Sequence, residues 1–208
     1  PPSLTRVNQA GGTRLPATNL DWAAETALDV QWAHAIAPAA NLVLVEANSN
    51  RLDDLLAAVD TARHLPGVSV VSMSWGANEF RQETGLDSSF TTPAGHTGVT
   101  FVAASGDEGA FLGPQWPATS PNVLSVGGTS LVLQDAAGAY GGESAWAGSG
   151  GGTSIVEPQP TWQSNAVGSI ATAPPSSQFG RDFQPFARWR DGGDAGEDGL
   201  PAGGDHGF

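Results

Sequence analysis

The sequence predicts an α/β protein: a doubly wound, mostly parallel sheet with flanking helices, followed by a disordered tail. Three observations predict it. Short runs of strand type alternate with helical runs. The strand runs are apolar throughout rather than at every second residue, which marks parallel strands covered on both faces. From Ala171 to Phe208 there is no Val, no Ile and one Leu, so that stretch cannot bury enough apolar surface to offset its ordering entropy.

The elements follow in order. Residues 1–20 read as loop, broken by Pro1, Pro2, Gly11, Gly12 and Pro16. A helix runs from about Asn19 or Asp21, either of which can cap it, to Ala37, with Pro38 as its stop. Asn41–Ala47 is a short apolar strand. Leu52–Leu65 reads as a second helix, with Leu52, Leu55, Leu56, Val59 and Ala62 at helical spacing. Gly67 leads into a strand at Val68–Ser74, and Gly98 into another at Val99–Ala104. Val123–Val126 makes a fourth. In such sheets ligands sit beyond the carboxyl ends of the strands.

Composition narrows the function. The 208 residues carry eight arginines, no lysine and 21 acidic residues, for a net charge of −13. That balance argues against a nucleic-acid partner, which needs clustered cations, and weakens any case for an anionic membrane surface. No apolar run approaches the roughly 18 residues of a spanning helix. With no cysteine, disulfides, thiolate metal sites and cysteine nucleophiles are all excluded. The 28 glycines and 15 prolines make the chain loop-rich without signalling disorder throughout. No basic-then-apolar leader opens the chain, which begins Pro1-Pro2 and reads as a start inside a longer protein.

Several residues can carry chemistry. Glu25 and Asp29 lie four apart on one face of the first helix, among Ala24, Ala27, Leu28, Val30 and Trp32. Two carboxyls in a half-buried site cannot both ionise cheaply, so one pKa rises and a proton is shared. The plainer reading is a solvated helix face. Asp107 follows a strand directly, in Ala104-Ser105-Gly106-Asp107, where Gly106 and Gly109 permit a turn that aims a carboxyl into a crevice. Protonated, it could donate to a developing oxyanion; otherwise it is an ordinary Asx turn. Ser72-Met73-Ser74-Trp75-Gly76 ends a strand, and its small residues leave room for an extended peptide. Ser149-Gly150-Gly151-Gly152 opens no apolar helix, so phosphate cradling is not expected. His34, His64, His96 and His206 have no metal-ligand spacing.

Taken together, these blocks resemble those of the sedolisin family, the serine-carboxyl peptidases, in the family's order. The first helix, Trp22–Pro38, resembles the family's catalytic helix. Ser72–Gly76, Ala104–Asp107 and Ser149–Gly152 resemble further blocks, over roughly residues 1–165. The resemblance implies a subtilisin-like fold and secreted endopeptidase activity at acidic pH, on peptide or protein substrates. It implies Glu25 as general base, Asp29 as its tuning partner and Asp107 in the oxyanion hole. It places substrate along Ser72, Ser74, Trp75, Gly76, Ser105 and Gly106. A monomer is expected. A carboxylate base, titrating near pH 4 when unperturbed, suits acid conditions.

The chain also departs from the family. No Gly-Thr-Ser-x-x-x-Pro block, which carries the family's nucleophile, follows residue 165. Gly152-Thr153-Ser154 fits the pattern as far as Pro158, but Pro158 and Pro160 argue against a helix there. Ser130 reads as a strand end. The family's calcium site is missing, and the Asp191–Gly199 tract has no EF-hand pattern, so no cofactor or metal is expected. The expectation is therefore a partial catalytic domain over residues 1–170, truncated at both ends, with a Gly/Asp-rich tail over 171–208 from a lost reading frame. Such a chain would be inactive by itself. The alternative is a non-catalytic remnant that binds peptide weakly along Ser72–Gly76.

Overall fold

The fold is that of a computed structural model, described over residues 2–167. The element order is β1 (Leu4–Asn8), α1 (Leu20–Ile36), β2 (Leu42–Glu46), α2 (Leu52–His64), β3 (Val70–Met73) and β4 (Ala77–Asn78). A 3-10 helix at Glu83–Phe90 follows, then β5 (Thr100–Ala104), β6 (Gln115–Trp116), β7 (Val123–Val126), β8 (Thr129–Leu133), β9 (Tyr140–Ala145) and α3 (Thr161–Val167).

The parallel strands form two hydrogen-bonded ladders. β1 pairs with β2, from Leu4 opposite Leu42 to Asn8 opposite Glu46. β5 lies between β3 and β7, with Val71 opposite Phe101 and Phe101 opposite Val123. Two antiparallel pairs, β4 with β6 and β8 with β9, complete the described strands. Asn19 caps α1, its Oδ1 accepting from the Asp21 and Trp22 amides at 3.0 and 3.2 Å. α2 lacks a side-chain cap hydrogen bond at Arg51. Its acidic first turn is held instead by Asp54, which accepts from Gln9 and Ser49. Those two donors hold the Asp54 carboxyl below its ordinary value.

The core lies on one face of the three-stranded ladder. Val71, Met73, Phe101 and Ala103, alternate residues of β3 and β5, pack with Val59 of α2 and with Phe90, Val99 and Trp116. Trp116 is fully buried, with ring centroids of Phe90, Phe80 and Trp75 at 5.4, 5.5 and 5.8 Å. Such aromatic pairs add about 0.5–1.5 kcal/mol each beyond the area they bury.

The structure corrects two expectations and adds one element. The loop expected over residues 1–20 contains β1, a five-residue strand masked by its flanking prolines and glycines. The sheet is not covered on both faces among the described residues: Val70, Leu124 and Val126 are exposed, and α1 buries none of its residues. The continuously apolar runs therefore mark two faces suited to burial, of which the described residues cover one. The β8–β9 hairpin was not anticipated. Its tip is an Asp135 Asx turn, in which Oδ1 accepts from Ala137 and Ala139 at 2.9 and 3.1 Å and Gly138 takes a positive φ.

Candidate active site

A cleft of about 380 Å³ opens at the carboxyl ends of β3, β5 and β7. Its walls are Ser72 to Ser74, Val102 to Ala104, Val126 to Thr129, and Asp29 from α1. Parallel strands create such a crevice because their connecting loops part there. The open sheet face is its floor: Ser72 and Val102 lie on the side of β3 and β5 opposite the core.

At this end of the sheet Asp29 and Asp107 lie near enough to Glu25 for their charges to act on it. Glu25 is half-buried, and its Oε1 is wholly buried with no hydrogen-bond partner among the described residues. Burial pushes the Glu25 carboxyl up to about 7, and the negative charges of Asp29 and then Asp107 push in the same direction. The nearby Ser74 hydroxyl works the other way. Asp29 lines the cleft, and its Oδ1 accepts the Ser74 hydroxyl at 2.7 Å. Its carboxyl is also raised by desolvation, against the lowering effect of Ser74. Two raised carboxyls thus lie close together, and both cannot ionise at low cost.

The turn that carries Asp107 is shaped by glycines. Gly106 takes φ +112°, and a Cβ there would meet the Gln115 side chain at 2.8 Å. The loop at 148–150 closes over it. Gly150 donates to the Gly106 carbonyl at 2.9 Å, and Gly109 donates to that of Gly148 at 2.5 Å. A Cβ on Gly150 would stand 2.2 Å from the Ser105 carbonyl oxygen. This close approach is the physical reason for glycine at position 150.

The expected substrate residues divide. Ser72 and Ser74 line the cleft. Trp75 turns to the core against Trp116. Gly76 packs on Gln115 and the Trp116 carbonyl. Ser105 is 4% exposed, its hydroxyl buried without a partner among the described residues, and Gly106 packs on Gln115. Ser74 proves to be a partner of the carboxyls, which the sequence reading did not foresee. Ser154 is engaged elsewhere: its hydroxyl contacts Glu79 and accepts the Val156 and Glu157 amides at 3.1 and 2.7 Å. With its lone pairs so occupied it is poorly set up to attack a carbonyl. Ser130 lies within β8, as expected of a strand residue. Among the described residues no group of three or more acidic or histidine side chains is arranged to hold a metal ion. No described helix is long and apolar enough to cross a membrane.

The sequence pattern of the subtilase family matches residues 21–190. The chain belongs to the subtilase family. Within it, the chain is 33% identical to kumamolisin of Bacillus sp. (strain MN-32) over 200 residues, covering 86% of this chain and 34% of that protein. It is 36% identical to sedolisin of Pseudomonas sp. (strain 101) over 124 residues, 48% of this chain and 21% of that one. Human tripeptidyl-peptidase 1 is 36% identical over 116 residues. A solved structure, Pseudomonas sedolisin (serine-carboxyl proteinase) complexed with two molecules of pseudo-iodotyrostatin, aligns with a TM-score of 0.64 and 29% identity. That alignment covers 88% of this chain and 55% of that one. The sedolisin-type resemblance and the subtilisin-like α/β fold read from the sequence are borne out. The chain spans about a third or less of the curated relatives' lengths. The expected tail at 171–208 and the boundary at 170 lie outside the described residues.

Proposed function

We propose that this chain carries the carboxyl machinery of a secreted serine-carboxyl endopeptidase acting on peptides at acidic pH. In its ionised form Glu25 takes the proton of an attacking serine hydroxyl; because its carboxyl is raised to about 7 in the chain alone, bound substrate and serine must lower it for the base to work in acid. Asp29 sets the basicity of Glu25, and Ser74 holds Asp29 in position. Asp107 donates a hydrogen bond to the oxygen that gains charge as the peptide carbonyl becomes tetrahedral. The substrate lies in the cleft along Ser72 and Ser74. The machinery needs no cofactor, because each step is a proton transfer or a hydrogen bond. A monomer suffices, since the three acids belong to one chain.

The observation that carries this reading is that Asp29 and Asp107, from a helix and a strand end, both act on the Glu25 carboxyl beside a cleft. A raised carboxyl among like charges in a crevice is the arrangement expected of acid-base chemistry. The chain by itself is proposed to be inactive. Ser74 donates to Asp29, Ser154 is locked in a turn, and no Gly-Thr-Ser-x-x-x-Pro block follows residue 165. The test is a peptide-cleavage assay at about pH 4 and about pH 7, with isothermal titration of an uncleaved peptide in parallel. No cleavage is expected, with weak saturable binding that Ser72→Trp removes. Cleavage that survives Glu25→Gln would contradict the assignment of the base. Binding unaffected by Ser72→Trp would contradict the cleft as the peptide site.

A further inference from the structure

A second group of acids lies away from the cleft. Glu79 follows β4, Glu83 and Asp87 belong to the 3-10 helix, and Glu157 ends the glycine loop. Glu83 is fully buried and Glu157 exposes 8% of its surface. Three of the four are tied to their surroundings by hydrogen bonds. Glu83 accepts the Phe80 amide at 2.6 Å and the Thr119 hydroxyl at 3.2 Å. Asp87 accepts the Ser120 hydroxyl at 2.6 Å. Glu79 accepts the Ile155 amide at 3.2 Å and contacts the Ser154 hydroxyl.

Glu157 is the exception. Both its carboxyl oxygens are buried, and no described group donates to either. A buried carboxyl with no donor is cheap only while it holds its proton, since ionising it would leave an unpaired charge away from water. The charges acting on Glu157 are those of Asp87, Glu83 and Glu79, all negative. Arg81, between Glu79 and Glu83 in the sequence, is exposed.

We propose that Glu157, buried without a donor near Glu79, Glu83 and Asp87, is a proton-dependent latch that seats the glycine loop, residues 149–157, in acid and loosens it toward neutral pH. One end of that loop lies on the Ser105–Gly109 turn through Gly150, and the other ends at Ser154 and Glu157 among the acids. Loosening the acid end therefore loosens the wall behind Asp107. The proposal does not depend on the cleft being an active site.

The direction follows from burial and like charge, which push the Glu157 carboxyl from its ordinary 4.5 up to about 7. Between those values the folded chain binds more protons than the unfolded one. The stabilisation is fully present below about pH 4.5 and is lost as pH rises through about 7.

The test is amide hydrogen exchange of the full chain at about pH 5 and about pH 7.5, corrected for the intrinsic rate. Residues 149–157 and 105–109 are expected to lose protection together at the higher pH, while β1 and β2 keep theirs. Glu157→Gln, a neutral shape-mimic of the protonated acid, should keep the loop protected at both values. It should also raise the thermal midpoint at about pH 7 by on the order of 5 °C. Glu25→Gln should leave the loop's pH response in place. Loop protection equal at the two pH values in the native chain would overturn the proposal, as would a Glu157→Gln chain that still opens. If that variant does not fold, the native comparison alone decides.

Discussion

The Glu25 group and the Glu157 group are both clusters of like charge, and in each one carboxyl is raised to about 7. Burial is the leading cause in both. Their surroundings separate them. Glu25 stands beside an open cleft with the Ser74 hydroxyl within its network, so a proton can leave it for a reacting group. Glu157 is closed off, and a proton on it can only hold the structure together. A shifted pKa therefore marks stored electrostatic strain, and access to a cleft decides whether that strain serves chemistry or stability.

The sharpest way to break the link between the regions is at Gly150, where loop and Asp107 turn touch backbone to backbone. Gly150→Ala places a Cβ 2.2 Å from the Ser105 carbonyl oxygen, and neither partner is a flexible side-chain end. A loss of about 3 kcal/mol in urea unfolding is expected. Gly85→Ala, with open space around it, should change stability by less than about 0.5 kcal/mol. Equal effects would mean that the loop is not seated on the turn.

A smaller effect compares the two regions in one curve. Both carboxyls are raised in the fold, so the thermal midpoint should fall between about pH 4.5 and about pH 7, on the order of 10 °C in total. Glu25→Gln and Glu157→Gln should each remove part of that slope, and the pair together most of it. A midpoint that rises over the same interval would contradict the sign for both groups.

Much of this was legible in the sequence, for identifiable reasons. α1 announces itself through Asn19 and Pro38, and the found helix, Leu20–Ile36, departs by a residue at each end. β3, β5 and β7 stand out as apolar runs entered from Gly67, Gly98 and Pro121-Asn122. Glu25 and Asp29 were legible because one helical turn forces them together. β1 was hidden because Leu4–Asn8 has a single buried residue, Val7, and gains its strand character from pairing with Leu42–Glu46. The position of Trp75 was hidden because a strand end does not say which way its last rings turn. The acid cluster had a faint signal: Glu79, Glu83 and Asp87 recur every four residues in a chain poor in cations. The fourth member, Glu157, is brought in by tertiary folding alone, which no local pattern records.

The most direct test of the central claim is a carbon-13 carboxyl titration of Glu25 by NMR. The account predicts a midpoint near 7, falling toward 4.5 in Asp29→Asn and, by less, in Asp107→Asn, and rising further in Ser74→Ala. A Glu25 that titrates at an ordinary glutamate value, indifferent to all three substitutions, would contradict it.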